Sequence, residues 1–410
     1  MSPLMNRPIL FVLNSSFPEY SGGRENWLFH VSTRFRERGH DIRILSLMPD
    51  GSHPTHYDLG AGIRLYRVRS WLHTRVGKWL TPGSLGVLRS LSVAPLFRRF
   101  LRRQASHWQP RPVVIGLDTV VVPLAMRGLE ESLTFVCASK GPHAEVMSRQ
   151  APWLSFWLHR AEIRAYRSCQ ELWSNGLDMR DYIRRQGFES IVIGNGVDIA
   201  VALRPRERPR EYVSEGVSFR ICMVGSLIDI KGIANAVRAL GLVSNPAQRR
   251  RMELYLVGKG DPRPYSALAE ECGVRSQVHF LGARQDVFPY LQHADLLLCL
   301  SGGGGMSMAA LESLASGVPV LAWNTPVYQQ LIVNDLNGWL VPFADDKALA
   351  QGFCRALGTS IPERRQMGQR AVESMRPFDW ERVVDHMEAR LHDLCGMEPA
   401  DRSPGRNAKP

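Results

Sequence analysis

The chain has 410 residues, too many for one hydrophobic core and enough for two domains. Its 44% hydrophobic and 22% charged residues exclude wholesale disorder. A net charge of +12 favours anionic partners, namely phosphate-bearing substrates, nucleic acid or an anionic membrane face, with a merely basic surface as the alternative.

In chain order, Ile9-Leu10-Phe11-Val12-Leu13 lies between Pro8 and Asn14. The run is too short for a signal-peptide core or a membrane span and predicts a first buried strand. A helix is expected from about Glu25 to Arg38, stopped by Gly39, whose missing Cβ permits the left-handed conformation. Ile42-Arg43-Ile44-Leu45-Ser46-Leu47 predicts a second strand. Further short apolar runs stand at 113–115, 134–137 and 191–193, separated by helical stretches. Such alternation means βαβ units and a largely parallel sheet.

Residues 67–111 are rich in arginine and aromatics: Arg67, Arg69, Trp71, Arg75, Lys78 and Trp79, then Pro95-Leu96-Phe97-Arg98-Arg99-Phe100-Leu101-Arg102-Arg103. On a helix the second run is amphipathic and basic. It suits anionic headgroups, or equally a helix packed on its domain with a solvated basic face. No apolar stretch is long enough to cross a bilayer, so membrane contact is expected to be peripheral, on the inner face, by a cytoplasmic protein.

A break follows. Arg204-Pro205-Arg206-Glu207-Arg208-Pro209-Arg210 is charged, proline-rich and without apolar periodicity. The alternation then restarts with strands expected at 219–224, 253–257, 278–281, 296–300 and 318–321. The expected division is residues 1–200 as a first Rossmann-like domain, 201–217 as linker and 218–377 as a second. A helix is expected at 378–395, and 396–410 is expected to be a disordered tail. Ligands of doubly wound sheets bind outside the carboxyl ends of the strands, so the expected site is a cleft between the halves.

In the second half a buried strand, Leu296-Leu297-Leu298-Cys299-Leu300, runs into Ser301-Gly302-Gly303-Gly304-Gly305-Met306-Ser307 and then a helix. Glycines let backbone approach a ligand, and a helix start adds partial positive charge, which suits a diphosphate; a flexible turn is the alternative. No Gly-Lys-Ser/Thr follows, so this is not a Walker loop. Glu312, two turns into that helix, could accept hydrogen bonds from a ribose diol or be a structural glutamate. Lys231, in Val224-Gly225-Ser226-Leu227-Ile228-Asp229-Ile230-Lys231-Gly232, could neutralise a phosphate leaving group or be a solvated lysine.

The seven cysteines form no CxxC pair and mostly sit in apolar runs, as small hydrophobes do in a reducing compartment. No zinc or iron–sulfur spacing is present. No helix-turn-helix, zinc-finger or RNP pattern gathers the basic residues, so nucleic-acid binding is set aside.

Taken together the chain resembles the family 4 glycosyltransferases, which have the GT-B fold of two Rossmann-like parallel-sheet domains. The resemblance spans roughly residues 9–395. It rests on Tyr20-Ser21-Gly22-Gly23-Arg24-Glu25, Arg38-Gly39-His40-Asp41 and Asn195-Gly196-Val197-Asp198. The segment 224–232, Leu256-Val257-Gly258-Lys259-Gly260, Phe280-Leu281-Gly282 and Ala315-Ser316-Gly317-Val318-Pro319-Val320 complete the ordered set.

The resemblance implies that residues 218–377 form the nucleotide-sugar-binding domain, taking a UDP- or GDP-sugar, and that residues 1–200 form the acceptor-binding domain, taking a glycan or lipid-linked acceptor. It also implies that the 378–395 helix crosses back to the first domain, and that anomeric configuration is retained. It implies no metal or resident cofactor, in keeping with the lack of an Asp-x-Asp motif. Gly22 and Gly23 would approach the donor phosphates, and Lys231 would stabilise the departing diphosphate. Glu312 would hold the ribose, and the backbone around Gly305, Met306 and Ser307 would face the sugar and β-phosphate.

Three departures stand out. The first of the family's two glutamates is Gly304 here, and the usual arginine beside Gly225 is Ser226. The N-terminal histidine has no counterpart in Val114-Ile115-Gly116-Leu117-Asp118; His143 is a candidate substitute, with a loop histidine of no role as the alternative, and Lys140 or Arg24 could supply charge. Uncompensated losses would leave a nucleotide-sugar-binding or regulatory subunit. A nicotinamide-dependent enzyme is the third reading, weakened because Gly258-Lys259-Gly260 lacks the third glycine of the dinucleotide fingerprint.

Overall fold

Short apolar runs bounded by turns become the central strands of two sheets in the computed structural model, which describes residues 7–18, 23–48, 56–58, 62–69, 84–105, 107–108, 110–129, 133–212, 219–302 and 305–396. The chain divides into two units: the described residues up to Gly194 together with those from Trp380 onward, and Asn195–Asp379.

The first unit holds β1 (Ile9–Ser16), β2 (Ile42–Leu47), β3 (His56–Asp58), β4 (Arg64–Val68), β5 (Val113–Gly116), β6 (Thr134–Ser139), β7 (Glu171–Ser174) and β8 (Ile191–Val192). Their order is β3-β4-β2-β1-β5-β6-β7-β8, parallel throughout except that β3 runs antiparallel to β4. β1 is flanked on both sides, pairing Ile9 with Ile42 and with Val113, so Ile9 to Leu13 are buried on both faces. The helix Gly23–Glu37 ends at Gly39, whose φ of 92° is the left-handed stop the sequence calls for.

The helix Ala94–Ala105 decides between the two readings of the basic run. Phe97 and Leu101 are fully buried in the core with Leu45, Val114 and Val122, while Arg99, Arg102 and Arg103 are exposed. Its apolar face is occupied by its own domain and is not open to lipid. Arg67 is likewise inside, donating to the Phe17 carbonyl at 3.0 Å. Trp71, Arg75, Lys78 and Trp79 lie outside the described residues.

The first unit is completed by the helix Trp380–Gly396, whose buried Trp380, Val384, Met387, Leu391 and Leu394 recur at helical spacing. Trp380 stacks on His30 with centroids 5.0 Å apart, and Arg38 reaches Glu381 (2.7 Å), Asp385 (2.8 Å) and Glu388 (2.9 Å).

The second unit is a six-stranded parallel sheet ordered β11-β10-β9-β12-β13-β14. Its strands are β9 (Phe219–Val224), β10 (Met252–Val257), β11 (Val278–Gly282), β12 (Leu296–Cys299), β13 (Val320–Trp323) and β14 (Gly338–Val341). The segment read from sequence as a linker lies, as far as Tyr212, within this unit. Tyr212 is buried, and its hydroxyl donates to the Tyr290 carbonyl at 2.6 Å, so an aromatic ring holds the charged stretch down. Residues 213–217 and the tail from 397 lie outside the described residues. Among the described residues no helix is long and apolar enough to cross a membrane.

Candidate functional site

The strand order of the second unit reverses between β9 and β12, which continue into different loops. Ligands of such sheets bind at this switch point. After β9, Gly225 (φ 147°) donates its amide to the Val257 carbonyl at 2.9 Å, and a 3-10 turn, Asp229–Lys231, ends at Gly232 in the left-handed region (φ 73°). The helix Ile233–Gly241 starts there.

Two glycines make this packing possible. A Cβ on Gly232 would lie 2.6 Å from the Leu300 Cβ and 2.7 Å from its carbonyl oxygen, so the lysine loop is pressed against the end of the β12 strand. A Cβ on Gly258 would lie 1.7 Å from the Gly225 carbonyl oxygen. The Lys231 side chain runs over Gly225, its Cε 3.6 Å from where a Cβ would be. Ser226 is half-buried in the same turn.

After β12 the described chain resumes at Gly305 (φ 88°), then Met306 and Ser307, and opens the helix Met308–Ala315. Ser307 is the N-cap, its hydroxyl accepting from the Ala310 amide at 3.3 Å. Buried Met306 is fixed through its carbonyl, which accepts from the Asn195 side chain at 2.7 Å. Ser301 and Tyr328 share a hydroxyl–hydroxyl hydrogen bond of 2.6 Å, and the Cys299 thiol sits 3.9 Å from the Ser307 hydroxyl. Burial pushes that thiol up to about 12, with Lys231 pulling it down and Glu312 pushing it up, so both charges act at the same point.

Glu312 is little more than one turn into its helix, not two, because the helix begins at Met308. Its carboxyl is pushed up to about 7, first by burial and then by the charge of Asp286. Lys231, Gly225, Ser226, Gly305, Met306, Ser307 and Glu312 therefore gather at one end of one sheet. Gly304 and Gly22 lie outside the described residues. Gly23 opens its helix, and a Cβ placed on it would meet nothing within 4 Å among the described residues, so none of those neighbours requires glycine there.

His143, Lys140 and Arg24 belong to the first unit, at the carboxyl ends of β1 and β6. Arg24 donates to the Asn14 side chain at 2.9 Å. The Lys140 ammonium stands 3.6 Å from the Trp27 ring centroid, and burial holds its pKa well below the usual lysine range. His143 opens the helix His143–Gln150 and donates its amide to the Gly141 carbonyl at 2.9 Å. Its buried Nδ1 finds no hydrogen-bond partner among the described residues. Burial, helped by the charge of Arg24, lowers its pKa to about 3, so the imidazole is neutral at physiological pH.

After β5, Asp118 accepts from the Val120, Val121 and Val122 amides at 2.9, 2.5 and 3.2 Å, and burial raises its pKa against those bonds and the charge of Arg24. Sequence reasoning assigns no role to Asn195, Tyr328 or Asp118. Asn195 stands in a family motif whose purpose becomes visible only through the Met306 carbonyl; Tyr328 stands in none. Among the described residues no cluster of three metal-ligating side chains occurs.

Comparison with known proteins follows the same division. The family described as Glycosyltransferase Family 4 matches residues 21–201, and Glycosyl transferases group 1 matches residues 218–359. Lipopolysaccharide glucosyltransferase WaaG of Escherichia coli is 33% identical over 129 residues, 31% of this chain and 34% of that protein. Glycogen synthase of Mycobacterium tuberculosis is 26% identical over 390 residues, 90% of each chain. The crystal structure of Anabaena HepE in complex with UDP superimposes with a TM-score of 0.71 over 94% of this chain and 100% of that one, at 17% identity, a likeness of fold. With both sheets and both matches in place, the chain belongs to the group 1, family 4 glycosyltransferases and has their two Rossmann-like domains of the GT-B type.

Proposed function

We propose that the chain transfers a hexosyl or related sugar, with retention, from a UDP- or GDP-sugar to a glycan or lipid-linked acceptor during polysaccharide, lipopolysaccharide or other glycoconjugate synthesis. The observation that carries this is the contact of Gly232 with Leu300, which sets the Lys231 loop against the strand leading into the 305–307 turn. In this reading the Lys231 ammonium, the helix start and the Glu312 carboxylate serve one ligand, the set a nucleoside diphosphate needs. The UDP complex of HepE and the lipopolysaccharide role in the name of WaaG support the donor and acceptor classes.

In this reading the anomeric C–O bond to the diphosphate breaks, and a new bond forms to an acceptor hydroxyl oxygen. Lys231 neutralises the diphosphate as charge develops, and the turn at Gly305, Met306 and Ser307 faces the β-phosphate and sugar. Glu312, ionised, accepts from the ribose hydroxyls. Gly22 and Gly23 approach the phosphates. The acceptor hydroxyl proton passes to the departing diphosphate oxygen, which takes the electron pair of the broken bond, while neutral His143, with Lys140 and the Arg24 guanidinium, serves the acceptor side. The donor is a substrate, with no resident cofactor, and the lack of an Asp-x-Asp motif supports metal-independent transfer. Seven free cysteines fit the reducing cytoplasm.

The test is a panel of nucleotide sugars, read by thermal shift and by nucleoside diphosphate release, with and without EDTA. Stabilisation with release unaffected by EDTA is the expected result. Stabilisation without release, with glycan and lipid-linked acceptors present, would favour the regulatory reading prompted by Gly304 and Ser226. Stabilisation by NAD alone would defeat both.

A further inference from the structure

The first unit carries an exposed aromatic cluster that no part of the proposed transfer uses. Trp153, Phe156 and Trp157 are 62%, 62% and 66% exposed. They lie on the turn Pro152–Leu154 and the helix Ser155–Ser168 that continues it. Going along that helix, exposed Arg160, Arg164 and Arg167 continue the same stripe at intervals of three and four residues.

The opposite face is fully committed: Leu158, Ala165 and Tyr166 are buried. The helix's one carboxylate, Glu162, is also buried, accepting from the Tyr182 hydroxyl at 2.8 Å and from Thr119. The outward stripe is therefore aromatic at one end and cationic at the other, with no exposed acid. Phe156 and Trp157 meet edge to face at 5.6 Å, and the Arg160 guanidinium lies 5.4 Å from the Phe156 ring centroid.

We propose that this stripe rests on an anionic lipid bilayer, with the three rings at headgroup level and the three arginines against lipid phosphates. Tryptophan favours the interface because its ring is apolar and its N–H stays wet. A second copy of the chain is disfavoured by charge, since any symmetric contact would bring six guanidinium groups into one interface with no carboxylate from either stripe. The stripe also replaces the Ala94–Ala105 helix as the membrane element, because that helix has its apolar face in the core.

The experiment is co-sedimentation of the full chain with vesicles of phosphatidylcholine alone or mixed with phosphatidylglycerol, without donor or acceptor, so its outcome is independent of the transfer reading. The chain is expected to pellet with the mixed vesicles and to be released by salt. Replacing Trp153, Phe156 and Trp157 by Ser should lower partitioning at least about tenfold.

Replacing Arg160, Arg164 and Arg167 by Gln should largely level the two vesicle types, since each cation near an anionic surface raises partitioning roughly fivefold. These guanidinium groups are solvent-facing, so this variant keeps the test open should the aromatic one misfold. Replacing Arg99, Arg102 and Arg103 by Gln should leave partitioning closer to wild type. The proposal is overturned if the wild type stays in the supernatant, or if a folded aromatic variant pellets like the wild type. A folded aromatic variant that converts a dimer to a monomer while still pelleting overturns it in favour of self-association.

Discussion

Lys231 and Glu312 sit at the same end of the same sheet but are tuned in different ways. Lys231 lies half-buried over a glycine, where a diphosphate leaving group would meet an ammonium held by its own turn. Lys231→Ala should lower turnover by about 10²–10³ while weakening nucleoside binding far less; equal effects on both would remove the leaving-group role. Glu312 has a carboxyl raised from 4.5 to about 7, so the folded chain holds a proton that the unfolded chain releases between those values. Stability attributable to this group is present below about pH 4.5 and is lost as pH rises through 7. Glu312→Gln should therefore melt higher than the wild type at about pH 8 and converge with it near pH 4.5. The same substitution should weaken nucleoside diphosphate binding at pH 8, where the charged acceptor is lost, by about tenfold or more. Isothermal titration at two pH values separates the two effects.

The elements that carry the site are legible wherever a strand is buried on both faces. Ile9 to Leu13 and Leu296 to Cys299 are unbroken runs of apolar residues in the sequence, Phe219 to Val224 is interrupted only by Arg220, and all three are central strands in the fold. β4, β7 and β14 escape that pattern. β4 reads Arg64-Leu65-Tyr66-Arg67-Val68, with arginines where an apolar run is sought; β7 is four residues opening with glutamate; β14 opens with glycine. The lysine and glycine-turn motifs are readable because each follows a strand directly. The closeness of the two is not, since it depends on Leu300 having room for nothing larger than hydrogen at position 232. Nor can pattern show that Asn195 anchors the turn from 111 residues away. Gly258→Ala would drive a methyl into the Gly225 carbonyl, a backbone atom that no rotamer change can move. It should cost about 1–3 kcal/mol in denaturant unfolding and displace the lysine turn, lowering donor affinity. Gly23→Ala meets no such neighbour among the described residues, so it should leave stability within about 0.5 kcal/mol and reduce transfer if the donor approaches that position.

At the scale of the whole molecule the first unit is built from two stretches of chain far apart in sequence, and the second from one. The return of the helix Trp380–Gly396 is secured by apolar residues at helical spacing and by ion pairs at its surface. Arg38 serves Glu381, Asp385 and Glu388, buried His40 approaches Glu388 at 2.7 Å, and Arg390 meets Glu171. Glu388 is kept below the usual carboxylate range, where burial alone would raise it, because His40 and Arg38 bind its charged form. Arg38→Ala should destabilise the first unit by about 1–2 kcal/mol, measured by hydrogen exchange of its own amides, with little change in the second.

This discontinuity sets an order of events during synthesis. The residues of Asn195–Asp379 can complete their sheet as soon as they leave the ribosome. The earlier-made stretch must wait, its Trp27 helix still lacking the last helix, until residue 396 has been translated. A stalled ribosome from which residues up to 379, and no further, have emerged should thus hold a folded later-made half and an unfinished earlier one.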